Sequence, residues 1–208
     1  MNGNYTYIIA SIPVLSPDYK PSSGSCDDAI AWIRSQLSEK DSAKLDLLLK
    51  GFTPSELTRE FYMTVLNDRN VFLRRFFASD LVLRNEKTAY LNKAFSRPSG
   101  TDVMVLDEDG TGINGVGIDE EGIDRTAIGD IFRTEGLLER ERAVDDFMWR
   151  EADRITLFEY FSLDKVLAIV AKLCIIRRWL ILDEEKGRQL IKTLIEDIRG
   201  TYGKIEFK

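Results

Sequence analysis

The sequence predicts an all-α protein, a helical bundle of two clusters joined by a glycine-rich acidic loop. Three observations carry that prediction. First, Val166 to Leu182 is apolar nearly all round, with Lys172, Arg177 and Arg178 as its charged residues. A helix of that kind must be wrapped by protein or by lipid, and a cation at a bilayer centre costs about 2.5–3.5 kcal/mol, which favours protein. Second, apolar residues recur at helical spacing in both halves of the chain, with capping residues in front of the stretches. Third, from 97 to 129 that spacing stops, and seven glycines between Gly100 and Gly129 appear among a run of acids. The organisation expected is an N-terminal helical cluster over 1–96, the insertion over 97–129 and a C-terminal helical cluster over 130–208. At least half of the residues should be helical.

In chain order, Tyr5 to Leu15 is a short apolar opening that fits either two turns of helix or an extended segment. Lys20 to Ser25 is a linker. Ser25 or Asp27 caps a helix with Ile30, Ile33 and Leu37 on one face, and Ser38 caps the next, which ends at Gly51. Thr53-Pro54-Ser55-Glu56 reads as a helix start, with threonine and glutamate satisfying each other's backbone N–H groups and proline at the first helical position. Leu57, Phe61 and Val65 follow at four-residue spacing. Asn67-Asp68 makes a turn, and Val71 to Phe95 forms one long helix or two. Within the insertion, Val103 to Leu106 is a brief extended candidate. Helical signal returns at Leu137, with Val144, Phe147, Met148, Ile155 and Phe158 on one side. After the apolar helix, Asp183 opens a final helix striped by Leu190, Ile191, Leu194, Ile195 and Ile198, which Gly200 ends.

Composition narrows the chemistry. With 208 residues, 44% of them hydrophobic, the chain has material for a core. A net charge of −6 disfavours nucleic-acid binding. No histidine is present, which removes the usual general base, the usual metal ligand and every histidine-containing triad. Cys26 and Cys174 make no metal or redox spacing and are read as free thiols. The opening residues lack the basic and apolar regions of a signal peptide, so the cytoplasm is the expected location.

Two patterns in the insertion invite a ligand and fail on physical grounds. Gly110-Thr-Gly112-Ile-Asn-Gly115 matches GxGxxG, but Asp107, Glu108 and Asp109 would face the pyrophosphate and no apolar-striped helix follows. As a calcium loop starting at Asp107, the stretch places Ile118 where the bidentate glutamate is required. No phosphate-binding GK[ST] loop occurs. No cofactor, metal or catalytic residue is therefore assigned. The adjacent carboxylates Asp145-Asp146 and Glu184-Glu185 are read as solvated faces. Arg177-Arg178-Trp179 interrupts the apolar helix. It either pairs with acids of the preceding helix, such as Glu151 or Asp153, or anchors a partner, as arginine and tryptophan do at binding hot spots. Arg74-Arg75 invites the same two readings. Arg74, Arg75, Arg177, Arg178 and Trp179 are thus the candidate partner-binding residues.

The stretches Leu137-Leu-Glu-Arg-Glu-Arg-Ala-Val-Asp-Asp-Phe-Met-Trp149, Tyr160-Phe-Ser-Leu-Asp-Lys-Val-Leu-Ala168 and Arg178-Trp179-Leu-Ile-Leu-Asp-Glu-Glu-Lys-Gly187, with the opening Tyr5 to Leu15, resemble an uncharacterised bacterial family encoded within V-type ATPase operons. That family in turn resembles a reduced form of the C subunit of V-type ATPases, known in eukaryotes as the d subunit. This is the all-helical socket between the central rotor shaft and the membrane ring. Asp68-Arg-Asn-Val-Phe-Leu-Arg-Arg75 and Asp164 to Lys172 resemble helix-opening units of its repeats; the socket protein has three, and two are found here. The resemblance implies a non-catalytic subunit or accessory factor of a bacterial V-type ATPase. Central-stalk and rotor-ring subunits would be its partners, and it would meet the membrane through the complex. The alternative from another class is a hydrolase or transferase with a carboxylate site in a helical cleft.

Overall fold

The structure is a computed structural model that describes residues 4–16, 25–104 and 122–181. The expected final helix from Asp183 lies outside the described residues, as do both ligand-like patterns in the insertion and most of the linker before Ser25. Every regular element among the described residues is helical. The order is α1 (Tyr5–Ser11), α2 (Cys26–Gln36), α3 (Glu39–Lys50), α4 (Arg59–Leu66), α5 (Val71–Ala94), α6 (Arg125–Arg133), α7 (Leu137–Ile155) and α8 (Leu163–Ile181). These helices hold more than half of the chain, which is the all-α bundle expected.

The caps explain most boundaries. Ser25 accepts the N–H of Asp27 to open α2, and Ser38 accepts the N–H of Asp41 to open α3. Each satisfies an orphan donor of the first turn. The opening segment resolves into both of its options, with helix α1 followed by an extended stretch from Ile12. Thr53 to Glu56 departs from expectation. Pro54–Glu56 is one turn of 3-10 helix without a side-chain cap, and Leu57 leaves helical geometry at ψ 61°. Helix α4 instead starts at Arg59, where the Thr58 hydroxyl accepts the N–H of Phe61 at 3.2 Å. Val71 to Ala94 is one uninterrupted helix. Two further departures concern the second half. Helix α6 begins inside the stretch read as insertion, capped by Asp124 and burying Ile128, Ile131 and Phe132. Helix α7 ends at Ile155, so Phe158 is exposed instead of continuing the apolar stripe.

Helix α8 is the centre. Val166, Leu167, Ala168, Val170, Ala171, Leu173, Cys174, Ile175 and Ile176 are all buried, and α1, α2, α3, α5 and α7 pack around it. One contiguous core therefore runs through helices of both the N-terminal and the C-terminal cluster. Around it, α4 folds back on α5, and α6 packs against α5 and α7. Among the described residues, no helix is long and apolar enough to cross a membrane.

The starts of α5 and α8 are tied together. Asn70 Oδ1 caps α5 by accepting the N–H of Leu73 at 2.8 Å, while its Nδ2 donates to Asp164 in the first turn of α8. Asp164 also takes the backbone N–H of Phe72. One carboxylate thus sits between two helix N-termini, where the peptide dipoles favour negative charge. Burial nevertheless raises the Asp164 pKa, against the opposing pull of the Asn70 bond. Replacing Asn70 by alanine removes both the cap and the inter-helix bond, and should cost about 1–2 kcal/mol in urea unfolding. Asn70→Asp keeps a capping oxygen but opposes a second carboxylate to Asp164, so it should not restore the loss.

Candidate functional site: a charge-rimmed cleft between four helical segments

Where the turn after α3 meets α5, α7 and α8, the helices leave a cleft of about 340 Å³. Its position follows from the spacing of the wall residues. On α5 the wall runs from Phe76 and Phe77 through Asp80 and Arg84 to Lys87, and on α7 from Met148 back to Asp145 and Glu141. Steps of three and four keep each set on one helix face. Cys174, Ile175 and Arg178 of α8 close the third side, and Gly51 and Phe52 the fourth. Gly51 lies so close to α5 that a Cβ there would sit 2.1 Å from the Phe77 ring. The floor is apolar and buried, formed by Phe76, Phe77, Met148, Cys174 and Ile175.

The mouth is charged, and its charges are ordered. Arg178 Nη1 donates to Asp145 at 2.9 and 3.1 Å, and its Nη2 donates to Glu141. Lys87 reaches the other oxygen of Glu141 at 2.9 Å. Across the cleft, Arg84 Nε donates to Asp80 at 2.7 Å, and the Tyr62 hydroxyl donates to the same carboxylate at 2.5 Å. Trp179 Nε1 completes the network with a 2.7 Å bond to Asp145, while Arg142 lies over the Trp179 ring at 4.8 Å.

Burial and pairing pull these groups in opposite directions. Burial pushes Asp145 up to about 6, more than Arg178 and the Trp179 bond pull it down. Glu141 also loses water to burial, but hydrogen bonds from Lys87 and Arg178 outweigh that and hold it below its usual value. Burial, then the charge of Asp80, raises the Tyr62 phenol. The Cys174 thiol is pushed up to about 12 by burial, so it is an inert part of the floor. Cys174 and Cys26 are both free and buried.

The structure separates the five arginine and tryptophan candidates. Arg74 Nη1 donates to the Asp68 carbonyl at 3.0 Å and its charge reaches Asp164, at the α5–α8 clasp. Arg75 is half-buried on α5. Arg177 pairs with Asp27 of α2 at 2.8 Å. Arg178 and Trp179 belong to the cleft network. The two groups lie at opposite ends of α8, about 20 Å apart at 1.5 Å per residue. The acids proposed for the α8 arginines are engaged elsewhere. Asp153 pairs with Lys172 at 2.6 Å, and Glu151 holds Arg154 and the Ser79 hydroxyl. Asp145, read from sequence as part of a solvated face, is instead buried at the centre of the network. The signal for it was its spacing, three residues before Met148 and four after Glu141 on the inward face of α7. Among the described residues, no group of three histidine, cysteine or acidic side chains is placed to hold a metal ion.

A protein family of unknown function, DUF2764, has a model that matches residues 117–201. That range includes α6, α7 and α8, hence two walls of the cleft, and stops short of α1 to α5. No curated protein and no solved structure gives a match.

Two measurements check this network. The Asp145 pKa is raised on folding, so its carboxyl adds stability that is complete below about pH 4 and is lost as pH rises through about 6. Relative to Asp145→Asn, the wild-type protein should therefore lose stability between pH 4 and 7, read as a difference in melting temperature at each pH. Arg178→Ala strands a buried carboxylate and should destabilise by about 1–3 kcal/mol, below the range for fully buried pairs because Arg178 is partly solvated. An unchanged melting temperature would place Arg178 outside the network.

Proposed function

We infer that this chain is a non-catalytic subunit or accessory factor of a bacterial V-type ATPase, helping to couple the rotor shaft to the membrane ring. In that role it works on the cytoplasmic side and meets the membrane through the complex. The observation that carries the reading beyond the resemblance is the turn between α7 and α8. Leu157, Phe158, Tyr160 and Phe161 stand 61–81% exposed within five residues. Aromatic clusters left in water mark contact surfaces. This turn immediately precedes Asp164, which opens one of the two units that resemble the repeats of the V-type ATPase socket, and the Asn70–Asp164 clasp holds it against the other. The reading asks for rigid packed helices and an outward contact, and for no nucleophile.

One observation favours the enzymatic alternative, a hydrolase or transferase with a carboxylate in a helical cleft: Asp145 lines the cleft and its pKa lies at about 6. Against it, Arg178 contacts both Asp145 oxygens, and Trp179 takes one of them as well. A carboxylate committed in this way is poorly placed to move a substrate proton.

The test is purification of the tagged full-length chain from its native bacterium. V-type ATPase subunits should accompany the wild-type protein. Phe158→Ser/Phe161→Ser should lose them while its melting temperature stays within about 2 °C, because both rings are solvent-exposed. A preparation without any ATPase subunit overturns the reading.

A further inference from the structure

We propose that the cleft is a binding site for a small amphipathic anion, one with an apolar chain and a single carboxylate head. Its volume of about 340 Å³ falls at the lower end of small-molecule sites, roughly 300–1,000 Å³. The apolar floor of Phe76, Phe77, Met148 and Ile175 offers a chain carbon contacts and offers a polar group nothing. A ligand that fills it must be apolar at that end.

The mouth selects the head. Each of its ion pairs is layered, with the cation outward and the carboxylate beneath. Arg84, Lys87 and Arg178 side chains are 46, 43 and 41% exposed, while Asp80, Glu141 and Asp145 are 13, 22 and 8% exposed. Three acids and three bases balance, but the ordering directs positive charge at whatever approaches from solvent. The donors have capacity to spare. The Lys87 ammonium carries three N–H groups and the Arg84 guanidinium five, more than Glu141 and Asp80 engage. A carboxylate head can bridge them from outside without breaking the pairs below, forming charge-assisted bonds. A cationic head would meet the three exposed cations before any carboxylate. In a chain of net charge −6, this mouth is locally neutral and turns its cations outward.

The experiment is isothermal titration of the full-length protein with three probes below their micelle concentrations: decanoate, decyltrimethylammonium and acetate. Decanoate should bind at one site, at least tenfold more tightly than the cationic probe, and acetate should give no measurable heat. Lys87→Gln should weaken decanoate at least fivefold with its melting temperature kept, since Arg178 still pairs with Glu141 and Asp145 and Arg84 still pairs with Asp80. Val144→Trp, which projects a ring into the cleft from α7, should abolish binding. If that variant fails to fold by circular dichroism, the glutamine variant decides. Equal binding of the two ten-carbon probes, undiminished binding by the glutamine variant, or no binding of decanoate overturns the proposal.

Discussion

The structure depends on one constraint: helix α8 is apolar on every side and must be covered on every side. No single partner helix can do that, because one helix shields only one face of another. Five helices share the task, and three of them, α1, α2 and α3, come from the N-terminal part of the chain. Of the covering helices, α2, α3 and α7 need an apolar stripe only where they face the core, which is why they read as amphipathic while α8 does not; α5 packs against α4, α6, α7 and α8 and is buried on more than one face. Three of the four cations of α8 then act as register marks. Lys172 meets Asp153 and Arg178 meets Asp145 and Glu141, both on α7, whereas Arg177 meets Asp27 on α2. Sliding α7 or α2 by one turn along α8 would part these pairs.

The cleft is the place where this wrapping is incomplete. Arg178 and Asp145 interrupt the apolar surfaces of α8 and α7 at the same level, so close apolar packing stops there and a polar network takes over. Such networks are costly unless each member is satisfied. Here satisfaction is reached by sharing: Glu141 serves two cations, and Asp145 serves Arg178 and Trp179. The sharing is asymmetric. Glu141 remains easily ionised while Asp145 does not, because burial at Asp145 outweighs the partners it has.

Much of the fold was legible in the sequence because it rests on local chemistry. Ser25 and Ser38 announce their helices, and the apolarity of Val166 to Ile176, interrupted by Lys172 alone, announces a wrapped centre. The failures have physical causes. Thr53 to Glu56 carries every local mark of a helix start, yet Thr58 offers a competing cap five residues on, and packing of Phe61 and Tyr62 favours the later one. Helix α6 was hidden because glycines dominate its surroundings, although Ile128, Ile131 and Phe132 do stand at helical spacing. The network was legible only in its parts. The arginines of α8 were recognisable as needing acids, but which acids depends on how α7 and α2 lie across α8, and no local signal records that. Asp145 was misread for the same reason, since Asp145 and Asp146 look alike in sequence and differ in which side of α7 they occupy.

Synthesis runs from the N-terminus, and that direction matters for a molecule whose centre is α8, at residues 163–181. Helices α1, α2 and α3 leave the ribosome with apolar stripes whose covering surface has not been made. The contact between Asp27 and Arg177 spans 150 residues of chain. Closing such distances costs loop entropy before any contact is gained, and during the wait the unfinished stripes are open to aggregation. The nascent chain therefore passes most of its translation as a set of half-covered helices, and its final compaction is tied to the moment residues 163–181 emerge.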